Sequence, residues 1–155
     1  MGPTTIELAY ARVVTDHEAP SPVPLDAHVE RRMKAQRRLG TSPELLLRRE
    51  LHRRGLRYRV GLSVPGMPRR SIDIAFTRAK VAVFVDGCFW HRCPQHSVPV
   101  KNNATWWSAK LETNVTRDRE TSAALTAAGW LVLRVWEHED PVAAADRVEG
   151  SLKSE

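Results

Sequence analysis

Apolar and polar positions change rhythm several times along this chain. From Thr41 to Gly55, TSPELLLRRELHRRG sets Leu46, Leu47 and Leu51 on one side of a helix. The ends carry matching signals: Thr41 or Ser42 as N-cap, Pro43 in the first turn, Glu44 as the acid of a capping box three residues after Thr41, and Gly55 as the stop. Beyond Gly55 the helical period is lost. LRYRV (56–60), SIDIAF (71–76) and KVAVFVDG (80–87) predict three strands, with a Pro/Gly turn at VPGMPRR after the first and a tight TRAK turn making the other two a hairpin. The helical period returns in a long helix from about Ala104 to Ala128, closed by Gly129. A buried strand WLVLRVWE follows, then a last helix opening at Asp140-Pro141. Helix, three strands, helix, strand, helix predicts an α/β domain whose mixed sheet is flanked by helices. No internal repeat is visible.

Outside these periodic segments the chain changes character. Residues 1–27 carry Pro3, Pro20, Pro22 and Pro24 with little apolar periodicity, so they are expected to form a flexible arm, with one folded domain over 28–155. The domain opens on HVERRMKAQRRLG, where Arg31, Arg32, Lys34, Arg37 and Arg38 crowd together. Such a run is either a solvated face or a grip on phosphates. The whole chain leans the same way, with 24 Lys and Arg against 18 Asp and Glu, a formal charge of +6 and a pI near 9.9. That balance suits a polyanion such as nucleic acid, although a merely basic surface gives the same number. With no apolar run of about 18 residues and no signal-peptide pattern, the expected location is the cytoplasm. Two cysteines five residues apart do not make a disulfide framework, and with histidines nearby they point to metal or core in a reducing compartment.

Candidate chemistry gathers around VFVDGCFWHRCPQH, residues 83–96. Cys93-x2-His96 has the spacing of a metal-binding turn, but a structural zinc site needs four ligands. Asp118 lies on the inward stripe of the long helix with Trp107, Leu111, Val115 and Leu125, and a carboxylate there needs a partner. His138 follows the last strand directly. Cys93, His96, Asp118 and His138 would form a tetrahedral S/N/O set for zinc, the alternative being an ordinary salt bridge from Asp118 to Arg134 or Arg117. Cys88 is a competing sulfur, but at the end of a buried strand it is expected to be a core thiol. A second set is acidic. Asp73 in SIDIAF, Asp86 at the end of the next strand and Glu44 in the first helix offer oxygen ligands for magnesium, and His91 offers a general base. Each acid has an ordinary reading as ion pair, turn residue or cap; together, in a basic chain, they suggest a metal-dependent phosphodiesterase. Phe89-Trp90 and Trp106-Trp107 are adjacent pairs among only ten aromatic residues, and apolar rings can serve as core or as a wedge between base steps.

Taken in order, RRMKAQRR, PELLLRRELHRRGLRYRV, IDIAF, VFVDGCFWHRCPQH, KNNATWWSAKLETNVTRDRE and AAGWLVLRVWEHE resemble the very short patch repair (Vsr) DNA mismatch endonuclease family over about residues 28–140. The resemblance implies a restriction-endonuclease-like fold of the PD-(D/E)XK type. It implies magnesium-dependent nicking of one strand of double-stranded DNA, on the 5′ side of the thymine in T·G mismatches left by deamination of 5-methylcytosine. By motif position, Asp73 looks like the magnesium aspartate, His91 the catalytic histidine, Glu44 the assisting acid, and Val85 the residue whose carbonyl reaches the metal. Cys93, His96, Asp118 and His138 fall where structural zinc is held, and Phe89, Trp90 and Trp107 where aromatics intercalate. Two departures stand out: Val85-Asp86 replaces the Thr-His of the best-known pattern, giving Asp86 a possible metal role, and His138 replaces a cysteine. The resemblance further implies a monomer with functional links to a DNA cytosine methyltransferase and to mismatch-repair proteins. Two other readings remain: a restriction-type or general nicking nuclease without mismatch preference, and a non-catalytic zinc-stabilised DNA-binding module.

Overall fold

A computed structural model describes Arg31 and residues 39–153 of the chain. The arm expected over residues 1–27, and Arg32, Lys34, Arg37 and Arg38, lie outside the described residues; Arg31 is helical and exposed. The elements come in the predicted order: α1 (Ser42–Arg53), β1 (Arg59–Val64), β2 (Met67–Phe76), β3 (Val81–Asp86), α2 (Ala104–Ala127), β4 (Leu131–Trp136) and α3 (Pro141–Leu152). They form a four-stranded sheet ordered β1-β2-β3-β4, antiparallel from β1 to β3 and parallel between β3 and β4.

Helix boundaries follow local chemistry. The Asp140 side chain accepts the Ala143 N–H at 2.9 Å, and Pro141 supplies a first turn that needs no donor. Gly129, at φ 80°, takes the left-handed turn that ends α2, and the Trp130 N–H returns to the Leu125 carbonyl. The start of α1 departs from expectation. Thr41 makes no side-chain cap, and Glu44 reaches one residue further back to accept the Gly40 N–H at 2.7 Å. Its carboxylate is thereby drawn inward, to 2% exposure.

The strands also differ from their predicted limits. β1 begins at Arg59 rather than Leu56, and the turn shrinks to Pro65-Gly66, with Gly66 at φ 76°. MPRR belongs to β2, and Pro68 falls in the irregular stretch between the Val64–Met67 and Ser63–Ser71 pairs, where a missing donor costs little. β4, expected to be buried, is an edge strand: Leu131 is exposed and only Val135 is fully covered.

Two apolar clusters hold the layers together. Leu47 and Leu51 of α1 meet Ile74, Phe76, Val81, Val83 and Val135 of the sheet and Ala144, Ala145 and Val148 of α3. The other cluster unites Val64, Ile72, Ala75, Ala82 and Phe84 with Leu125 of α2. Leu51 is wholly buried, so truncation to alanine there would cost about 2–5 kcal/mol. The parallel register pairs Asp86 with Trp136, so the loops after β3 and β4 leave the sheet side by side. The Glu137 N–H binds the Asp86 carbonyl at 2.9 Å and fastens the two loops at their roots. Among the described residues no helix is long and apolar enough to cross a membrane.

Candidate active site and metal centre

The pairing of β2 with β3 runs from Phe76–Val81 only to Ile74–Val83. Asp73, the next residue of β2, turns its side chain into the widening gap, where Oδ2 accepts the Val85 N–H at 2.8 Å. In an extended strand the N–H and C=O of one residue point to the same side, so the Val85 carbonyl faces the same gap. Burial pushes the Asp73 carboxyl up to about 7; the Val85 N–H and the Arg134 charge oppose the rise, and the negative charges of Glu44 and Asp86 add to it. A carboxylate this reluctant to ionise beside a second acid is a place that gains from a cation. Asp73, the Val85 carbonyl and Glu44 provide only hard oxygen, the donor class magnesium takes. They fit such an ion.

Beside this pocket lies a second group of charged side chains. Oxygens and nitrogens of Asp86, His91 and Asp118 come within 4.8 Å of one another. His91 Nδ1 stands 2.5 Å from Asp118 Oδ2 and 3.9 Å from Asp86 Oδ1. Arg134 joins both acids: Nη1 lies 2.8 Å from each oxygen of Asp86, and Nη2 lies 3.5 Å from Asp118 Oδ1. A carboxylate can only accept, so His91 Nδ1 carries the shared proton and Nε2 is the ring's free basic nitrogen. Burial works against a charged His91 ring, but the Asp118 hydrogen bond and the charges of Asp86 and Asp118 outweigh it, raising its pKa above the ordinary value. Asp86, expected as a possible magnesium ligand, has both oxygens engaged by Arg134.

A third group is soft. Cys88, Cys93, His96 and His138 bring Sγ and ring nitrogen atoms within 4.8 Å of one another. Cys88 Sγ is 3.0 Å from His138 Nδ1, and Cys93 Sγ is 3.8 Å from His96 Nδ1 and 3.7 Å from His138 Nδ1. A tetrahedral zinc with bonds of about 2.0–2.3 Å sets its ligands roughly 3.3–3.8 Å apart, so this set fits zinc with little adjustment. The expected set of Cys93, His96, Asp118 and His138 is not the one the fold gathers: Asp118 is bonded to His91, and Cys88, read as a core thiol, lies with Cys93, His96 and His138 while also being buried, since burial and ligation are compatible for sulfur. Burial and the neighbouring Cys93 push the Cys88 thiol up to about 11. Its N–H donates to Glu137 Oε1 at 2.7 Å, which fixes the turn carrying the sulfur.

The chain gathers its rings into one cluster. Phe89 packs edge-on against Trp90 and Trp107, each 5.2 Å away between centroids, and Trp106 packs against Trp107 at 4.9 Å. All four are half-buried, so none is free surface and none is sealed core. Gly87 makes room for Trp90, whose ring would stand 3.4 Å from a Cβ at that position. The loop is tied to α2 by Asn114 Nδ2 donating to the Trp90 carbonyl and by Arg92, which reaches Glu112, the Ser108 carbonyl and Ser108 Oγ.

Three residues at this end were undervalued by the sequence reading: Cys88, Arg134 and Glu137. Cys88 showed as a second sulfur beside the histidines, and Arg134 as a guanidinium in the middle of the apolar strand LVLRVW, which demands an acid across the sheet.

The family model described as "DNA mismatch endonuclease Vsr" matches residues 26–96. The chain is 49% identical over 138 residues, 85% of its length and 81% of the relative's, to the type II nicking enzyme V.NaeI of Lentzea aerocolonigenes. It is 42% identical over 110 residues, 69% of its length and 72% of the relative's, to the type II nicking enzyme V.NmeDIP of Neisseria meningitidis serogroup C. With the DNA mismatch endonuclease Vsr of Escherichia coli strain K12 it shares 36% identity over 108 residues, 68% of this chain and 66% of that one. Matched through the segment that carries Glu44, Asp73, His91 and Cys93, and aligned with these relatives over most of its length, the chain belongs to the Vsr DNA mismatch endonuclease family.

Proposed function

We propose that the protein is a magnesium-dependent endonuclease of the restriction-endonuclease-like fold, nicking one DNA strand on the 5′ side of the thymine in a T·G mismatch. The observation that carries this reading is the adjacency, on one end of the sheet, of the Asp73–Val85 oxygen site, the His91–Asp118 pair and the ring cluster Phe89, Trp90 and Trp107. Rings half-buried against one another are preformed to enter a base stack, and a mismatched pair costs less to open than a matched one. Lys and Arg side chains, among them the basic segment that includes Arg31, would hold the phosphates.

Catalytic roles divide along the geometry. Asp73, the Val85 carbonyl and Glu44 would hold magnesium, which when bound supplies Lewis-acid stabilisation of the charge that builds on the scissile phosphate and on the departing 3′ oxygen. His91 Nε2 takes a proton from the attacking water while Asp118 holds Nδ1 and balances the charge the ring acquires. Water adds to phosphorus, the bond to the 3′ oxygen breaks, that oxygen takes up a proton from solvent, and a 5′ phosphate and a 3′ hydroxyl remain. Cys88, Cys93, His96 and His138 would hold zinc, joining the loop after β3 to the end of β4 so that rings and imidazole keep their places.

A second reading has an observation behind it: relatives with 40% identity or more carry the name type II nicking enzyme, which says nothing of mismatches. Purified protein with magnesium, given duplexes identical except for T·G or C·G at one position, separates the two. Nicking of the T·G duplex alone supports the mismatch reading; equal nicking of both overturns it in favour of a nicking nuclease without mismatch preference.

A further inference from the structure

We infer that Arg134 is a positioning residue for His91, a role that rests on the catalytic reading of His91 above. Two carboxylates lie within reach of His91 Nδ1, Asp118 at 2.5 Å and Asp86 at 3.9 Å, and the ring can face only one of them squarely. The guanidinium decides which. Its Nη1 binds both oxygens of Asp86 at 2.8 Å, while Nη2 touches the Asp118 carbonyl at 3.3 Å and Asp118 Oδ1 at 3.5 Å. Asp86 is therefore occupied and neutralised, and Asp118 is steadied without losing the oxygen that holds the ring.

The guanidinium itself is fixed from below. Arg134 and Phe84 are register partners on β4 and β3, and the charge sits 4.8 Å above the Phe84 ring centroid. Without Arg134, Asp86 would keep a charge that is 6% exposed and has His91 as its nearest cationic partner. The ring would be shared between two acids and Nε2 would turn away from the attacking water. A lysine could offer its charge to only one of the two acids, since it lacks the planar fork. Asp86, on this account, is a structural anion paired with Arg134 and not a magnesium ligand.

The test uses the full chain with zinc bound and magnesium added, in single-turnover nicking of a T·G duplex. Arg134→Met should lower the maximal rate by about tenfold to a hundredfold, the range expected for a misplaced catalytic group, with DNA affinity within about twofold of wild type. Adding Asp86→Asn to Arg134→Met should recover most of the rate, because the uncompensated charge is gone. The His91 Nδ1–H proton resonance should move in Arg134→Met and return in the double variant, an effect read without activity. Wild-type nicking by Arg134→Met, a loss confined to affinity, or a double variant no faster than the single overturns the inference. Where Arg134→Met does not fold, Arg134→Lys carries the test: a reduced maximal rate with unchanged affinity supports the role and a wild-type rate overturns it. His91→Ala, run alongside, keeps the two ideas apart. If it nicks normally, the catalytic reading of His91 falls; if it is inactive while the Arg134 variants are not, only the positioning role falls.

Discussion

Two acidic groups lie on either side of β3 and are treated differently by the fold. Asp86 and Asp118 are balanced from within: Arg134 spans both, and His91 shares a proton with one. Among the described residues Asp73 has no such ion pair, and Glu44 has a looser one. Asp73 accepts only a backbone N–H, and Glu44 accepts the Gly40 N–H with Arg48 at 3.5 Å. Burying a carboxylate without a counter-charge is costly, so Asp73, with no ion pair among the described residues, is the acid of the two groups that gains most from a cation. A count of acids alone would not separate the two groups.

The hardest blow to that contrast is Asp73→Asn. Removal of the one acid placed in the open gap should lower nicking by about a thousandfold or more, corresponding to about 4 kcal/mol of transition-state stabilisation, while DNA binding by gel shift stays within severalfold of wild type. A variant that cuts normally would mean the metal sits elsewhere. Next in size is the soft group. Cys88→Ser should reduce bound zinc from one equivalent towards none and lower the melting temperature, whereas Asp118→Asn should keep its zinc; metal analysis of the two side by side distinguishes the tetrad with Cys88 from the one expected with Asp118.

The smallest effect concerns pH in metal-free protein. Asp73 holds its proton up to about 7 in the folded chain against an ordinary value of 3.8. The folded state therefore binds the proton more tightly than the unfolded state, and stability falls as pH rises from about 4 through 7. Asp73→Asn removes this term, so the variant should be the more stable protein above pH 7, by on the order of 1–3 kcal/mol, with the gain fading towards pH 4. Denaturant unfolding at pH 4.5 and 8 measures it. A variant less stable than wild type at pH 8 would mean Asp73 is compensated after all.

Much of this arrangement could be read from residues alone, and the limits are physical. Gly129 and Asp140-Pro141 marked helix ends correctly because caps and left-handed turns are local chemistry. The capping box failed since Glu44 had a better use for its carboxylate further back, at the Gly40 N–H. β1 slipped because Leu56 and Tyr58 pack against the core without joining the ladder, and a run of apolar residues cannot say which of them pair. Helical spacing put Asp118 on the inward stripe and the structure leaves it half-buried, but spacing names a face and not the residue across it. His91 stands there, two residues from Cys93, the sulfur that Asp118 was expected to join in holding zinc, Cys88 having been assigned to the core.

The tight spacing of functional groups in the turn that leaves β3 limits how the sequence can change length. Between Val85 and Cys93 the backbone hands out, residue by residue, a carbonyl to the oxygen site, a carboxylate to Arg134, a sulfur, two rings, an imidazole and a second sulfur. One inserted or deleted residue in the turn after Asp86 would displace these groups relative to one another, disturbing three assemblies at once. Residues 97–103, almost all exposed and outside helix or strand, carry no such accounting. Evolution is therefore free to lengthen or shorten the chain just past His96, and is held to an unvarying count just before it.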